Sequence, residues 1–262
     1  MKGDLPMKST LFILASTLGA ALSSAAAAEG LELKVLTAGA FRSSVDALVP
    51  EYEKASGNKA IIENDTVGAL VKRIDAGETF DVVVVSPAAV DELAAKGKVM
   101  PGSRTNLARV GVGVMVKEGA PRPDVSTVDA FKKTVLAAKS VSYIDPASGG
   151  SSGIYVAQLL KQLGIADQVK PKEQLKDGGN VADYIVSGKA ELGIHQISEI
   201  LPHKGVTLLG PLPSDIQNYT VYAAGIGAST RHADAAKALI AVLSGPSAQA
   251  LFKSKGMEPA GQ

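Results

Sequence analysis

Four short stretches carry the residue types from which an anion site can be built. They are Thr37-Ala38-Gly39-Ala40-Phe41-Arg42-Ser43, Asn64-Asp65-Thr66-Val67-Gly68, Asp145-Pro146-Ala147-Ser148-Gly149-Gly150-Ser151-Ser152-Gly153, and Ile194-His195-Gln196-Ile197-Ser198. Glycine lets a backbone approach a ligand closely, a hydroxyl donates without carrying charge, and a helix starting in such a stretch offers free N–H groups and the positive end of its dipole. Each stretch alone also reads as a capped turn, because Gly, Ser, Thr and Asp dominate turns. Arg42 adds a forked cation that can hold a carboxylate through two parallel hydrogen bonds. A solvated arginine on the first turn of a helix is the plainer reading of the same residue.

A covalent chemistry is also spelled in the chain. Gly149-Gly150-Ser151-Ser152-Gly153 fits G-x-S-x-G, with Asp183 and then His195 or His203 following in nucleophile-elbow order. An elbow, however, sets its serine on the turn directly after a strand, whereas Asp145 to Gly150 separate Ile144 from Ser151. The chain is therefore expected not to be an enzyme, and a secreted serine hydrolase using Ser151 or Ser152 is the alternative. His195, at a strand end, and His203, after Pro202, are read as packed or exposed rather than catalytic.

Composition narrows the field further. The 262 residues hold no Cys and 3 His, so disulfides, iron–sulfur clusters and thiolate zinc sites are excluded, and the histidines lack metal-binding spacing. No metal and no cofactor are expected. With 27 Lys plus Arg against 26 Asp plus Glu and no long run of one sign, the chain lacks the footprint of a nucleic-acid or membrane-surface binder.

The elements that must position these stretches follow from periodicity. Lys2 and Lys8 precede an apolar run from Leu11 to Leu22 and then Ala25-Ala26-Ala27-Ala28, the order of a secretory signal peptide cleaved after Ala28. Strand, helix, strand, helix, strand and helix then alternate from Leu33 to Lys96, and the run Val82 to Val85, apolar on both faces, implies a parallel sheet covered by helices. Ser86-Pro87 supplies a cap and a first-turn proline. A long strand near Val110 to Val116 opens a second α/β series, a strand at Tyr219 to Ala223 closes it, and C-terminal helices follow. The two long strands would carry the chain between lobes and back, leaving a cleft between them. The resulting division is signal peptide 1–28, lobe I 29–108 plus 222–262, and lobe II 109–221.

Over nearly the whole mature chain the order of motifs resembles the molybdate-binding family of periplasmic solute receptors. The matching features are strand-Ala38-Gly39-Ala40-Phe41, Gly68-Ala69-Leu70 with Ile74, Gly77 and Asp81-Val82, Asp145-Pro146 with Ser152-Gly153-Ile154-Tyr155, Asn180-Val181, and Glu191-Leu192-Gly193-Ile194. The resemblance implies a two-lobed type II binding protein, each lobe a mainly parallel sheet flanked by helices. It implies a periplasmic monomer that captures a small anion and presents it to the membrane permease of an ABC importer. Carried over position by position, the family's ligand contacts fall at Gly39 and Ala40, at Thr66 or Val67, at Ser151 and Ser152, at Val181, and at Gln196. Ala40 stands where the family has serine and Gln196 where it has tyrosine, so two donors to an oxyanion are lost or replaced. With Arg42 close by, a small organic carboxylate is favoured over a molybdate-like oxyanion as ligand. A receptor that senses its ligand without transport is a further alternative.

Overall fold

The computed structural model describes Met1, Gly3 and residues 30–260, so the cleavage site expected after Ala28 lies outside the described residues. The first part of the chain alternates β1 (Glu32–Ala38), α1 (Gly39–Ser56), β2 (Lys59–Asp65), α2 (Val67–Asp75), β3 (Val82–Val85) and α3 (Pro87–Ala95). β1 lies between β2 and β3 and is parallel to both. All four valines of β3 are fully buried, as a strand covered on both faces requires. Local signals set the helix ends: Thr66 and Ser86 accept from the Ala69 and Ala89 N–H groups to cap α2 and α3, and Gly57 closes α1 in the left-handed region at φ 73°.

One long strand joins the two parts of the molecule. β4 (Thr105–Lys117) pairs antiparallel with β8 (Tyr219–Ile226) over Thr105–Gly111, then with β6 (Leu192–Gln196) and β7 (Val206–Pro211) from Val112 onward. β8 continues into an antiparallel pair with β3, and β9 (Met257–Pro259) adds to β4 at Ala108–Val110. Between β4 and β8 the chain forms α4 (Val128–Ala137), β5 (Val141–Ser142), α5 (Ser151–Gln162), α6 (Ala166–Val169), α7 (Ala182–Val186) and, after β6, α8 (Ile197–Ile200). β5 and β6 are parallel. α9 (Ala233–Ser244) and α10 (Pro246–Ser254) return to pack on α1.

The fold is thus mixed α/β with two lobes, parallel pairs within each being bridged by antiparallel β4 and β8. Phe41, Tyr222 and Phe252 centre one apolar group around α1, and Leu36, Val83 and Leu93 fill the other side of that sheet. Phe131, Leu159 and Ile194 form the core of the second lobe. The crossing falls at Gly111 and Val112, inside a strand that runs unbroken through both lobes: Val110 belongs to the first core and Val112 to the second.

Candidate functional site

Three helices of useful length begin at the carboxyl ends of strands and converge on one cleft. α1 starts at Gly39 directly after β1, α2 starts at Val67 behind its Thr66 cap, and α5 starts at Ser151 behind Gly150, after the turn Pro146–Ser148 and the left-handed Gly149. Their N-termini bring positive dipole ends to the same space, with free first-turn N–H groups at α1 and α5, whereas at α2 the Gly68 and Ala69 N–H groups are taken by the Gly149 carbonyl and the Thr66 hydroxyl. The cleft holds a narrow pocket with Gly39, Ala40, Thr66, Val67, Ser151, Ser152 and Gln196 all in its lining.

Two expected positions lie elsewhere. Arg42 is outside the lining: its Nε donates to both carboxylate oxygens of Asp46 at 2.7 Å, and one Nη donates to the Ile62 carbonyl and to Asn64 Oδ1. An acid four residues ahead on the same helix claims the guanidinium first. Arg42 instead orients Asn64, whose carbonyl oxygen it holds while the amide nitrogen lies toward Gly39 at the pocket. The Val181 side chain is wholly buried in an apolar cluster, and Gly179, two residues earlier, lines the pocket instead.

The floor of the pocket is ionisable, which the sequence reading does not anticipate. His195, 2% exposed, is the penultimate residue of β6, with its Nδ1 at 3.3 Å from Ser152 Oγ. Its Nε2 lies 3.2 Å from Glu199 Oε2, close enough for an ion pair but not aligned as a hydrogen bond, so Nε2 is buried without a hydrogen-bond partner. Glu199 follows four residues later on α8, with its side chain 12% exposed. Gln196 Nε2 donates to Thr220 Oγ1 at 2.9 Å, which leaves Oε1 buried and unpartnered. The phenol of Tyr222, two residues along β8 from Thr220, completes this wall. Burial holds its titration well above the ordinary range, and the Glu199 charge adds to the effect. Among the described residues no Lys or Arg lines the pocket; its ionisable acid and imidazole side chains are Asp65, His195 and Glu199.

The G-x-S-x-G arrangement takes a different form from the one its letters suggest. Asp183 pairs at the surface with His203 at 3.1 Å and with Lys176 at 3.4 Å, whereas the histidine beside Ser152 is His195, whose other ring nitrogen lies by Glu199 and not by Asp183. Glu199 and Tyr222 are pocket groups that the sequence does not single out, while Asn64 and His195 stand in its candidate stretches, His195 being expected there as a packed or exposed residue and found buried in the lining. The one linear signal for them is the spacing His195-x-x-x-Glu199 across a strand end into a helix.

The cleft is closed by direct contact between the lobes. Gly68 N–H donates to the Gly149 carbonyl at 3.1 Å, and Thr66 Oγ1 donates to the Ser148 carbonyl. The approach is so close that a Cβ on Gly68 would sit 2.7 Å from Gly149 Cα.

Residues 33–258 match a family model described as bacterial extracellular solute-binding protein. The aconitate isomerase of a Pseudomonas species is 32% identical over 233 residues, covering 87% of each chain. The molybdate-binding protein of Escherichia coli (strain K12) is 23% identical, covering 91% of this chain and 95% of that one. Among solved structures, the periplasmic molybdate-binding protein of Azotobacter vinelandii superposes with a TM-score of 0.74 at 22% identity, covering 88% of this chain and all of that one. The expectation that the chain is not an enzyme is overturned by the first of these relatives, which carries an enzyme's name over most of the chain's length.

Proposed function

The chain belongs to the bacterial extracellular solute-binding protein family, and from that premise we propose that it binds a small organic polycarboxylate in the cleft and isomerises it by proton transfer, outside the cytoplasm. The observation that carries this reading is the buried His195–Glu199 pair at the floor of an anion cradle. A tetrahedral oxyanion needs donors only, so a carboxylate, a histidine and the acceptor Gln196 Oε1 beside it would be idle or repulsive. A ligand whose C–H bond is to be broken needs such a pair. His195 lies 3.2 Å from Glu199 and 3.3 Å from Ser152 Oγ, so a base for the ligand's C–H proton stands at the floor of the pocket beside a hydroxyl that orients the ring.

Aconitate, the compound in the relative's name, fits this chemistry. It carries a CH₂ beside both a carboxylate and a carbon–carbon double bond. Transfer of one CH₂ proton to the pair leaves an allylic anion spread over three carbons and the adjoining carboxylates. Return of the proton to the far carbon moves the double bond and permits the opposite geometry, with no oxidant or co-reactant. The helix N-termini and the neutral Tyr222 phenol would hold the carboxylates as charge spreads into them. Proton NMR of the protein with cis-aconitate in D₂O should show the trans isomer appearing with deuterium at carbon. Absence of both isomerisation and exchange overturns the reading.

A second reading, a receptor that delivers an anion to the permease of an ABC importer, is favoured by the backbone latch across the cleft, because closure on a ligand is what such a receptor signals. Tight calorimetric binding of aconitate or molybdate without turnover selects it.

A further inference from the structure

Resting on the polycarboxylate reading, the geometry points to Glu199 as a resident anion in the ligand's own seat: its carboxylate lies at the N-terminus of α1, so it opposes ligand binding while it serves turnover. Glu199 Oε1 is only 2.9 Å from where a Cβ of residue 39 would stand, and glycine there makes room for it. α1 has 18 residues, no side-chain cap and no acid in its first turn, so its positive end meets this carboxylate from across the cleft. Two further groups mark the spot as a ligand seat, the unpartnered His195 Nε2 and Gln196 Oε1, each on a residue 2% exposed.

The groups next to Glu199 are His195 from β6, Tyr222 from β8 and the start of α1, and Asn64 and Asp65 from β2 line the same pocket. None is a lysine or arginine. A polyanion entering this seat meets a desolvated like charge, with which it competes for the start of α1 and which His195 is the one facing side chain able to offset. A residue whose sole task was recognition would not be an acid here. Retaining a carboxylate against the ligand is explained when the same group holds the proton that moves during reaction.

The experiment titrates the wild type, Glu199→Gln and Glu199→Ala with aconitate and with molybdate by calorimetry, and follows aconitate turnover in parallel. Both variants should bind both anions at least about tenfold more tightly, and Glu199→Gln should turn over about a hundredfold more slowly. The alanine variant serves should the glutamine variant fold poorly. Unchanged, weaker or absent binding of both anions by the variants overturns the inference. A wild type that binds but never turns over sinks the isomerase reading alone, leaving the affinity comparison to judge the role of Glu199.

Discussion

A phenol buried like that of Tyr222 stays protonated, because loss of hydration and the Glu199 charge raise its titration and the Ser151 hydroxyl offsets only part of this. It is thus a neutral donor to charge developing on a bound carboxylate. Tyr222→Phe keeps the ring against Phe41 and removes only that donor. Turnover should fall about 10²- to 10³-fold, about 3 kcal/mol in the barrier, with a smaller change in the calorimetric Kd. Equal losses in both would mean that the phenol merely binds. The sequence points to residue 196 for a pocket tyrosine and finds glutamine. The phenol at the site comes from residue 222, and only the placement of β6 and β8 on the same strand β4 brings the two together. Gly39, Thr66, Ser151 and Ser152 are legible because turn residues at strand ends have few other places to go. Arg42 misleads because a forked cation advertises a carboxylate partner without saying that Asp46 supplies it.

Elements with a strong period are the ones the sequence reveals: β1 through α3, the long β4, α4, α5 and the C-terminal helices all follow apolar spacing. The four-residue helices α6 and α8, β7 with its half-buried residues, and the three-residue β9 are too short or too evenly exposed to show a period, and β7 and β9 owe their existence to the free edges of β4. The latch is an element-scale device, joining the start of α2 to the turn before α5. Gly68→Ala sets a methyl group against the Gly149 backbone and disfavours the closed form. Affinity for the ligand should drop about tenfold, about 1.4 kcal/mol, while the melting temperature of the free protein stays near that of the wild type. Unaltered affinity would show that binding does not require the lobes to meet.

Across the whole molecule, acid should weaken the fold through a network that ties β1, β2 and α2 together. The Glu78 carboxyl is held down to about 2 by Arg73 and then Lys34, and Glu63 is lowered by the same two cations. A carboxyl held below its ordinary value stabilises the fold above about pH 4.5, and that contribution is lost as pH falls toward 2. Side chains 21 to 40% exposed are partly screened, so the loss is about 1 kcal/mol. Denaturant titrations at pH 6 and pH 3 should show the gap between them shrinking by about that amount in Arg73→Gln; an equal gap would assign the acid sensitivity elsewhere. The antiparallel pairing of β3 with β8 also orders events in time. A chain made from its N-terminus completes β1, β2 and β3 early, yet Val82 meets Ile226 only after the entire second lobe has been synthesised. Until then the all-valine strand keeps an open edge, and the second lobe, being continuous in sequence, can assemble first. Nascent chains therefore pass through a stage in which the sheet that will hold half the ligand pocket is the part most exposed to aggregation.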